Sequence, residues 1–325
     1  SLTRALLLPA LLLPALLLMS CGTPRPVATG QRCWLDGLGE AARCQTIVVR
    51  GAARFVAILD AESPLAGAAP VYFLAGGPGQ AASAVIGPAS AALREARLHH
   101  DLVFVDLLGT GRSEPIACDL DDGRDLLQTL FAAELPTDKL AACRAKVTRP
   151  IGDYGTIAAS DDLDAVRVAL GHTAIALYGV SYGSRLALVH LARHGATVVA
   201  AAIDGVLPPE VPIFASFAHD GQAALDALIA DCARDVACAA RFPRFGDQLG
   251  TLLRPGAAYD VMVTHPRTGA LRRVAVTPEG LALAVRGLLY EPQLAVGLPY
   301  AVSEASVGRF GPLVTMASLL VDAVS

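Results

Sequence analysis

Aromatic residues are scarce in this chain, at 5% of 325 positions, and neither sign of charge dominates it. Lysine and arginine total 26 against 30 aspartate and glutamate residues, and the basic residues form no long run. The sequence therefore lacks the basic footprint of a nucleic-acid-binding protein and the basic patch of a protein that binds membrane surfaces by charge. We expect no nucleic-acid partner.

Metal-binding motifs are also missing. Neither CxxC nor HExxH occurs in the sequence, so we expect no metal site and no cofactor. Apolar residues, in contrast, make up 54% of the chain and are mainly alanine, leucine and valine. This length and composition suffice for one large domain, or for a core that carries a lid.

The first 21 residues have the composition of an export signal. Arg4 is the only charge before an apolar run over residues 5–18, which is interrupted only by Pro9 and Pro14. The run is too short to span a bilayer comfortably, and a charged start followed by a short apolar core is typical of a cleaved signal peptide.

The signal ends in Leu-Met-Ser-Cys-Gly, which resembles a bacterial lipobox. In that motif Cys21 becomes the lipid-bearing first residue; an ordinary cleaved signal with an incidental cysteine is the alternative. Residues 22–32 are then a flexible tether. We expect an exported lipoprotein that faces the periplasm or the cell exterior and touches the membrane only through its anchor, with secretion as the alternative.

Six of the seven cysteines remain once Cys21 is set aside, an even number. Six cysteines allow fifteen connectivities, and only proximity along the chain favours one of them. Disulfides persist in oxidising compartments, which agrees with export, whereas buried free thiols are the alternative. The pairs suggested by proximity are Cys33–Cys44, Cys118–Cys143 and Cys232–Cys238.

Short apolar segments alternate with helical patterns through residues 33–207. A helix over residues 160–170 is expected to be capped by Ser160 or Asp161. The alternation predicts an α/β fold with a mostly parallel sheet, helices on both faces, and functional residues at the carboxyl ends of the strands. The predicted strands are residues 46–49, 54–59, 71–74, 102–106, 175–178 and 198–203.

After Asp204 the pattern becomes mainly helical. We interpret residues 33–207 as the core and residues 208–325 as a helical lid inserted after the strand over 198–203. The predicted lid helices are residues 215–232, 245–253, 278–288, 293–306 and 312–323, with a hairpin over 259–276.

The strongest motif is Gly-Val-Ser-Tyr-Gly at residues 179–183, which fits G-x-S-x-G between a strand and a helix. A serine on such a turn has strained backbone angles, and the flanking glycines avoid clashes. The following helix directs main-chain N–H groups and a positive dipole end at the site. The motif predicts Ser181 as a nucleophile; a strand-to-helix turn that merely needs glycines is the alternative.

A second motif, Ala-Gly-Gly-Pro-Gly-Gln at residues 75–80, follows the strand over 71–74. Beside such a serine, this loop supplies one N–H of an oxyanion hole and the residue after the nucleophile supplies the other. We therefore predict the main chains of Gly77 and Tyr182 as oxyanion donors. The third motif, D-x-x-G-x-G-x-S at residues 106–113, predicts a tight structural loop beside the site.

These three motifs, in this order and spacing, resemble the proline iminopeptidase and tripeptidyl aminopeptidase group of α/β-hydrolases, and its exported bacterial branch in particular. The resemblance covers Cys33 to the end of the chain. It implies the α/β-hydrolase fold and a serine exopeptidase that releases N-terminal residues from short peptides through an acyl-enzyme on Ser181. Ala75 stands where the family usually has histidine, which bears on loop anchoring. Leu108 replaces the family's usual arginine and removes an ion pair.

The resemblance also implies a triad acid and base that are not recognisable in this chain. In this fold both follow later core strands, in the order Ser, Asp or Glu, His. Asp204 is interpreted as a ligand of the turn's amides, with the triad acid as a minor alternative. None of the seven histidines follows a later core strand. His190 and His194 lie on the predicted helix after Ser181, His219 and His265 lie in the predicted lid, and the others precede the nucleophile: His99, His100 and His172.

We therefore expect a C-terminally truncated chain, an expectation to which the first residue, Ser1, and the uncapped helical end also point. The strand over 198–203 would then be an uncovered apolar edge, so we expect the chain to be poorly soluble and inactive. Two alternatives remain open for the function, a carboxylic-ester hydrolase and a non-catalytic protein of the same fold. The lid acids Glu210, Asp220 and Glu291 receive no role.

Overall fold

The computed structural model describes residues 30–118, 126–132, 137–265 and 268–322. The predicted signal peptide, Cys21 and most of the predicted tether lie outside these ranges. Within them, no helix combines the length and the apolar character that crossing a membrane requires.

The chain begins with three antiparallel strands, β1 (Gln31–Cys33), β2 (Ala42–Val49) and β3 (Ala52–Leu59). Arg50 and Gly51 join β2 to β3 with positive φ angles of 48° and 72°. Such a two-residue turn matches the twist of paired strands. Gln31 and Arg32 were predicted as tether but pair with β2, so the ordered fold starts before residue 33.

Four further strands form the parallel part of the sheet. Because every residue of β4 and β5 is buried, these two strands lie at its centre. β3 meets β5 in antiparallel orientation, and the sheet has the order β1-β2-β3-β5-β4-β6-β7. The parallel strands are β4 (Val71–Leu74), β5 (Leu102–Val105), β6 (Ile175–Val180) and β7 (Val198–Asp204).

Helices cover both faces of this sheet, as predicted. On one face Ile86 and Ala89 pack with the inward side chains of Phe73 and Phe104. On the other face, side chains of α5 and α6 pack with Tyr72 and other residues of the central strands. The helices of this half are α1 (Ile86–Ala92), α2 (Arg94–Arg97), α3 (Leu126–Ala132), α4 (Thr137–Lys146), α5 (Thr156–Ala169) and α6 (Tyr182–His194).

Helix α5 begins before the residues predicted to cap it. Its N-cap is Gly155, which offers no side chain, so the prediction of Ser160 or Asp161 as the cap is wrong. Both side chains instead reach across to α6. Asp161 forms an ion pair with Arg193 at 2.9 Å, and the Ser160 hydroxyl lies 3.3 Å from the His190 ring.

The residues after β7 pack around a hydrophobic cluster of their own. Leu127 and Phe131 of α3 join this cluster, although the predicted core segment includes them. The predicted helix over 293–306 is divided at Gly297, where a side chain would come within 3.0 Å of Met316. The elements are α7 (Phe217–Arg234), α8 (Val236–Arg241), α9 (Phe245–Leu252), β8 (Tyr259–Thr264), β9 (Leu271–Val276), α10 (Pro278–Leu288), α11 (Pro292–Ala295), α12 (Leu298–Ala305) and α13 (Gly311–Asp322).

Three disulfides join the six cysteines in the pairs that proximity suggested. The Cα atoms of Cys33 and Cys44 lie 5.8 Å apart, across the β1–β2 pair. Cys118 pairs with Cys143, and Cys232 at the end of α7 pairs with Cys238 in α8. Disulfides of this kind are typical of proteins that fold outside the reducing cytosol.

Strand β7 is one of the two edge strands of the sheet within the described ranges, and it is mainly apolar. Val199 is 64% exposed, and the three alanines that follow are also exposed. An exposed apolar edge strand promotes association, because its unpaired N–H and C=O groups can pair with another chain. We expect the substitution Val199→Lys to raise the soluble, monomeric fraction of these 325 residues several-fold on expression, as measured by light scattering.

The matched control for this substitution is Val168→Lys, because Val168 is 60% exposed on helix α5 and lies away from the sheet edge. It adds the same charge without changing the strand. Equal gains from the two substitutions would show that net charge, and not the β7 edge, governs solubility.

Candidate active site

Ser181 lies at the junction of strand β6 and helix α6, where it serves as the helix N-cap residue. Its backbone angles are φ 56° and ψ −118°. Non-glycine residues rarely adopt positive φ, and such strained residues cluster at functional sites. The side chain is solvent-exposed, so the hydroxyl is presented at the carboxyl edge of the sheet.

The glycines of the motif are required by close packing. A Cβ atom built on Gly183 would overlap the main-chain carbonyl of Leu74, at the end of β4. A Cβ atom on Gly179 would overlap the carbonyl of Gly183 itself. The first turn of α6 is therefore pressed against the neighbouring strand, which fixes where Ser181 points.

Hydrogen bonds within this turn, and to the end of β7 and the segment after it, secure the turn. The Ser181 N–H donates to the main-chain carbonyl of Asp204 at 2.8 Å. The Ser184 hydroxyl donates to the Ser181 carbonyl at 2.5 Å and accepts from the Leu207 N–H at 2.9 Å. We predicted that Asp204 binds the turn's amides; it does so through its carbonyl, while its exposed carboxylate makes no hydrogen bond to the described residues.

Arg185 is a further anchor, which the sequence did not reveal because an arginine on a helix is typical of a solvated surface. Its guanidinium donates to three successive parts of the segment that leads into the lid. The acceptors are the carbonyls of Pro208, Pro209 and Val211, at 3.2, 2.8 and 2.8 Å. Arg185 thereby ties the start of the lid to the helix that carries the nucleophile.

The Gly-Gly-Pro-Gly loop lies beside Ser181. A Cβ atom built on Gly76 would come within 3.4 Å of the Ser181 Cβ atom. Gly77 has a φ of 106°, a conformation that strains any other residue. Among the described residues, neither the Gly77 N–H nor the Tyr182 N–H has a hydrogen-bond acceptor. N–H groups without an acceptor, one directly after the serine and one in the adjoining loop, are compatible with an oxyanion hole, and the catalytic role of these two remains a prediction.

The loop over residues 106–113 is held in a tight conformation by hydrogen bonds to Asp106. The Asp106 carboxylate is fully buried. It accepts hydrogen bonds from the Ser83 N–H at 2.9 Å, the Ser83 hydroxyl at 2.7 Å and the Arg112 N–H at 3.0 Å. The Ser113 hydroxyl donates to the Asp106 carbonyl at 2.7 Å. This geometry fits the structural role predicted for the loop.

A cavity of about 210 Å³ separates this loop from Pro78 and Tyr182. Leu108, which replaces the arginine usual in the resembling family, is buried in its wall. The Asp162 carboxylate also lines the cavity and forms ion pairs with Arg54 at 2.5 Å and Arg50 at 2.7 Å. The charge of the Asp162 carboxylate is therefore balanced by its two arginine partners.

None of the seven histidines, all of which are described, contacts Ser181. His190 and His194 follow it by nine and thirteen residues on α6, which places them about 13 and 20 Å along the helix. His219 is exposed on α7 beside Asp220. His265 lies at the β8–β9 turn. The three others bond to groups of the sheet half: His99 to Ser63, His100 to Ala69 and His172 to Tyr72.

His190 is buried at the packing surface between α5 and α6. Its Nδ1 atom lies 3.3 Å from the Ser160 hydroxyl, and its Nε2 atom has no partner among the described residues. Burial lowers the pKa of His190, and the neighbouring His194 lowers it further, while Ser160 and Asp164 oppose the shift and Arg167 adds to it. A charged imidazolium is therefore disfavoured in the folded state.

This arrangement predicts acid destabilisation. A histidine whose folded-state pKa lies below its unfolded value, about 6.5, leaves stability unaffected above that pH and removes stability as the pH falls below it. We expect a slope of up to about 1.4 kcal/mol per pH unit in this window, measured by urea unfolding from pH 7.5 to 5. His190→Gln should flatten the slope, and His219→Gln, at an exposed position, should not. Equal slopes for wild type and His190→Gln would contradict the account.

The comparisons with known proteins agree with this geometry. Residues 69–239 match the family described as the alpha/beta hydrolase fold. The serine protease Hip1 of Mycobacterium tuberculosis (strain H37Rv) is 28% identical over 268 residues, which cover 75% of this chain and 51% of Hip1. Hip1 of Mycobacterium bovis matches to the same extent. The chain thus spans about half the length of these curated relatives.

Among solved structures, the proline iminopeptidase of Mycobacterium smegmatis aligns with 82% of this chain and 69% of its own, at 19% identity and a TM-score of 0.41. That similarity is too low to carry functional information. The family match, in contrast, covers more than half of the chain and includes the strand, the serine turn and the helix described above. This chain belongs to the alpha/beta hydrolase fold family.

Proposed function

We propose that Ser181 is the nucleophile of a serine hydrolase that releases N-terminal residues from short peptides. The observation that carries the proposal is the strained, exposed Ser181 at the start of α6, next to the Gly-Gly-Pro-Gly loop. Strained backbone conformations destabilise the fold and cluster at active sites, so the strain at Ser181 supports a functional role for its exposed hydroxyl.

In the proposed reaction the Ser181 oxygen attacks the carbonyl carbon of the substrate. The negative charge that develops on the carbonyl oxygen is stabilised by the N–H groups of Gly77 and Tyr182, and the positive end of the α6 dipole adds to this. The serine proton passes through a histidine to the leaving amine, and an acyl-enzyme remains for water to hydrolyse.

The histidine in this scheme is not one of the seven in the sequence, since none of them approaches Ser181. We propose that the base and its orienting acid are supplied by polypeptide outside these 325 residues. The length of the curated relatives, about twice the matched region, is compatible with this. The segments 33–207 and 208–325 are then the core and the lid of a larger enzyme.

Two observations favour peptides as substrates. The motif set resembles that of exopeptidases, and the matched region of Hip1 belongs to a serine protease. An ester hydrolase is the second candidate, because the nucleophile and oxyanion donors serve ester and amide chemistry equally. A non-catalytic protein of this fold is the third, and it would apply if the natural gene product lacked the base.

We also propose that the protein is exported and lipid-anchored at Cys21. The three disulfides support an extracytoplasmic location. Radiolabelled palmitate should be incorporated into the natural gene product and lost with Cys21→Ala, while incorporation into both forms would exclude Cys21 as the modified residue.

The test of the proposed function compares an aminoacyl arylamide, its N-acetylated form and a simple aryl ester on the natural gene product. An aminoacyl arylamide should be hydrolysed, and N-acetylation of the same substrate should abolish turnover, since an exopeptidase reads the free amine. Turnover of a simple aryl ester alone would favour the second candidate. These 325 residues expressed by themselves should hydrolyse neither the arylamide nor the ester. Hydrolysis by a clean monomer of these residues would refute the proposal that the catalytic base lies outside them.

A further inference from the structure

A groove of about 450 Å³ crosses the lid between α7 and α10, and it is lined by none of the residues that surround Ser181. Its floor is formed by the buried side chains of Leu225 and Val285, and Leu253 closes one side. Leu283, at the rim, is 51% exposed. A concave apolar surface of this size with a few polar groups at its edges is the usual form of a site for a small ligand.

Arg286 provides a cation at one end of the groove. Its guanidinium stacks on the Phe217 ring at 4.7 Å and near the Tyr290 ring at 5.3 Å. One nitrogen donates to the Tyr290 hydroxyl at 2.9 Å. No carboxylate among the described residues pairs with it. The stacking holds the guanidinium plane in place, while most of its N–H donors remain available for an anion.

Glu279 provides an anion at the other end. It lies in the first turn of α10, is exposed, and forms no ion pair with a described residue. It precedes Arg286 by seven residues, so the two side chains emerge on the same face of the helix, about 10 Å apart along its axis. The groove therefore has opposite charges at its ends and apolar side chains between them.

We propose that this groove binds a short peptide lengthwise, with its terminal ammonium at Glu279 and its terminal carboxylate at Arg286. An extended chain spans at most about 3.3–3.6 Å per residue, so about three residues match the distance between the two charges. The central side chain of such a peptide packs on Leu225 and Val285. A fatty acid, which has a carboxylate but no amine, would leave Glu279 without a partner.

This site is separate from the chemistry proposed at Ser181, since it needs neither the serine hydroxyl nor the oxyanion donors. Binding is therefore measured by calorimetry on the natural gene product that carries Ser181→Ala, which cannot consume the ligand. If the peptide does not bind, the proposed groove site is refuted. If the unsubstituted protein shows no turnover, the proposed function is refuted. The two outcomes are independent of each other.

The probe is the tripeptide Ala-Leu-Ala, compared with its N-acetylated form, its C-terminal amide and the hexapeptide of the same repeat. We expect amidation to weaken binding about tenfold, because the half-buried, stacked Arg286 makes a charge-assisted bond. Acetylation should weaken it about threefold, because Glu279 is exposed. The hexapeptide should bind more weakly than the tripeptide, since it exceeds the span.

Substitutions identify the contacts. Arg286→Gln should make the tripeptide and its amide bind equally, and Glu279→Gln should make the tripeptide and its acetylated form bind equally. Arg241→Gln is the matched control, because Arg241 also stacks on a phenylalanine of the lid, at 5.7 Å, but does not line the groove. Binding that is indifferent to blocked ends, or stronger binding of decanoate than of the tripeptide, would overturn the proposal.

Discussion

Replacing Gly183 with alanine is expected to destabilise the protein by more than about 4 kcal/mol, which places it among the largest effects of a single substitution. The added methyl group would overlap the Leu74 carbonyl and would lie 2.9 Å from the Ala75 oxygen. Neither atom belongs to a flexible side chain, so relief requires β4 and α6 to separate. Urea unfolding should show the midpoint shift, or the variant should fail to fold.

Gly250→Ala is the control for this prediction. Gly250 lies within α9, and a Cβ atom built there has no neighbour within 4 Å. Alanine is favoured over glycine in a helix, so this variant should gain up to about 1 kcal/mol. A Gly183→Ala protein as stable as the wild type would mean that α6 does not approach β4 as described.

Ser181→Ala is expected to reduce hydrolysis by the natural gene product by about six orders of magnitude, the loss seen when the nucleophile of a serine hydrolase is removed. The folded state should remain intact, because the exposed hydroxyl makes no hydrogen bond that stabilises the turn. Initial rates with an aminoacyl arylamide, and the unfolding midpoint of the same samples, measure the two effects.

The substitution Ser181→Gly tests whether the backbone of Ser181 is strained. Glycine adopts a φ of 56° without the steric cost that serine bears there. The variant should therefore be inactive yet at least as stable as wild type, because relief of about 1–3 kcal/mol of strain offsets the entropy that glycine loses on folding. A glycine variant of lower stability would contradict the interpretation of Ser181 as a residue held in a strained conformation for function.

The site's framework was predictable from the sequence because it depends on short-range requirements. A strand, a serine between two close glycines, and a helix follow one another within residues 175–194, and each glycine reflects an approach of backbone to backbone. The loop after β4 could be associated with it because parallel strands bring their carboxyl ends to one edge. The fold class follows from the same alternation.

What the sequence did not reveal depends on contacts between distant segments. From the sequence alone Ser160 resembles a helix cap. In the folded chain α6 packs against α5, and the Ser160 hydroxyl lies beside the His190 ring. Leu127 and Phe131 have no local signal that assigns them to the lid, yet the Thr277 N–H donates to the Phe131 carbonyl at 3.0 Å. Arg185 and the groove around Arg286 are likewise defined only by their partners in the folded chain.

The most direct test of the central claim is covalent labelling of the natural gene product with a serine-reactive fluorophosphonate, followed by peptide mass spectrometry. The claim predicts one modified residue, Ser181, with loss of the label and of hydrolytic activity together in Ser181→Ala. An active protein in which the label falls on another residue, or in which Ser181→Ala retains the activity, would contradict it.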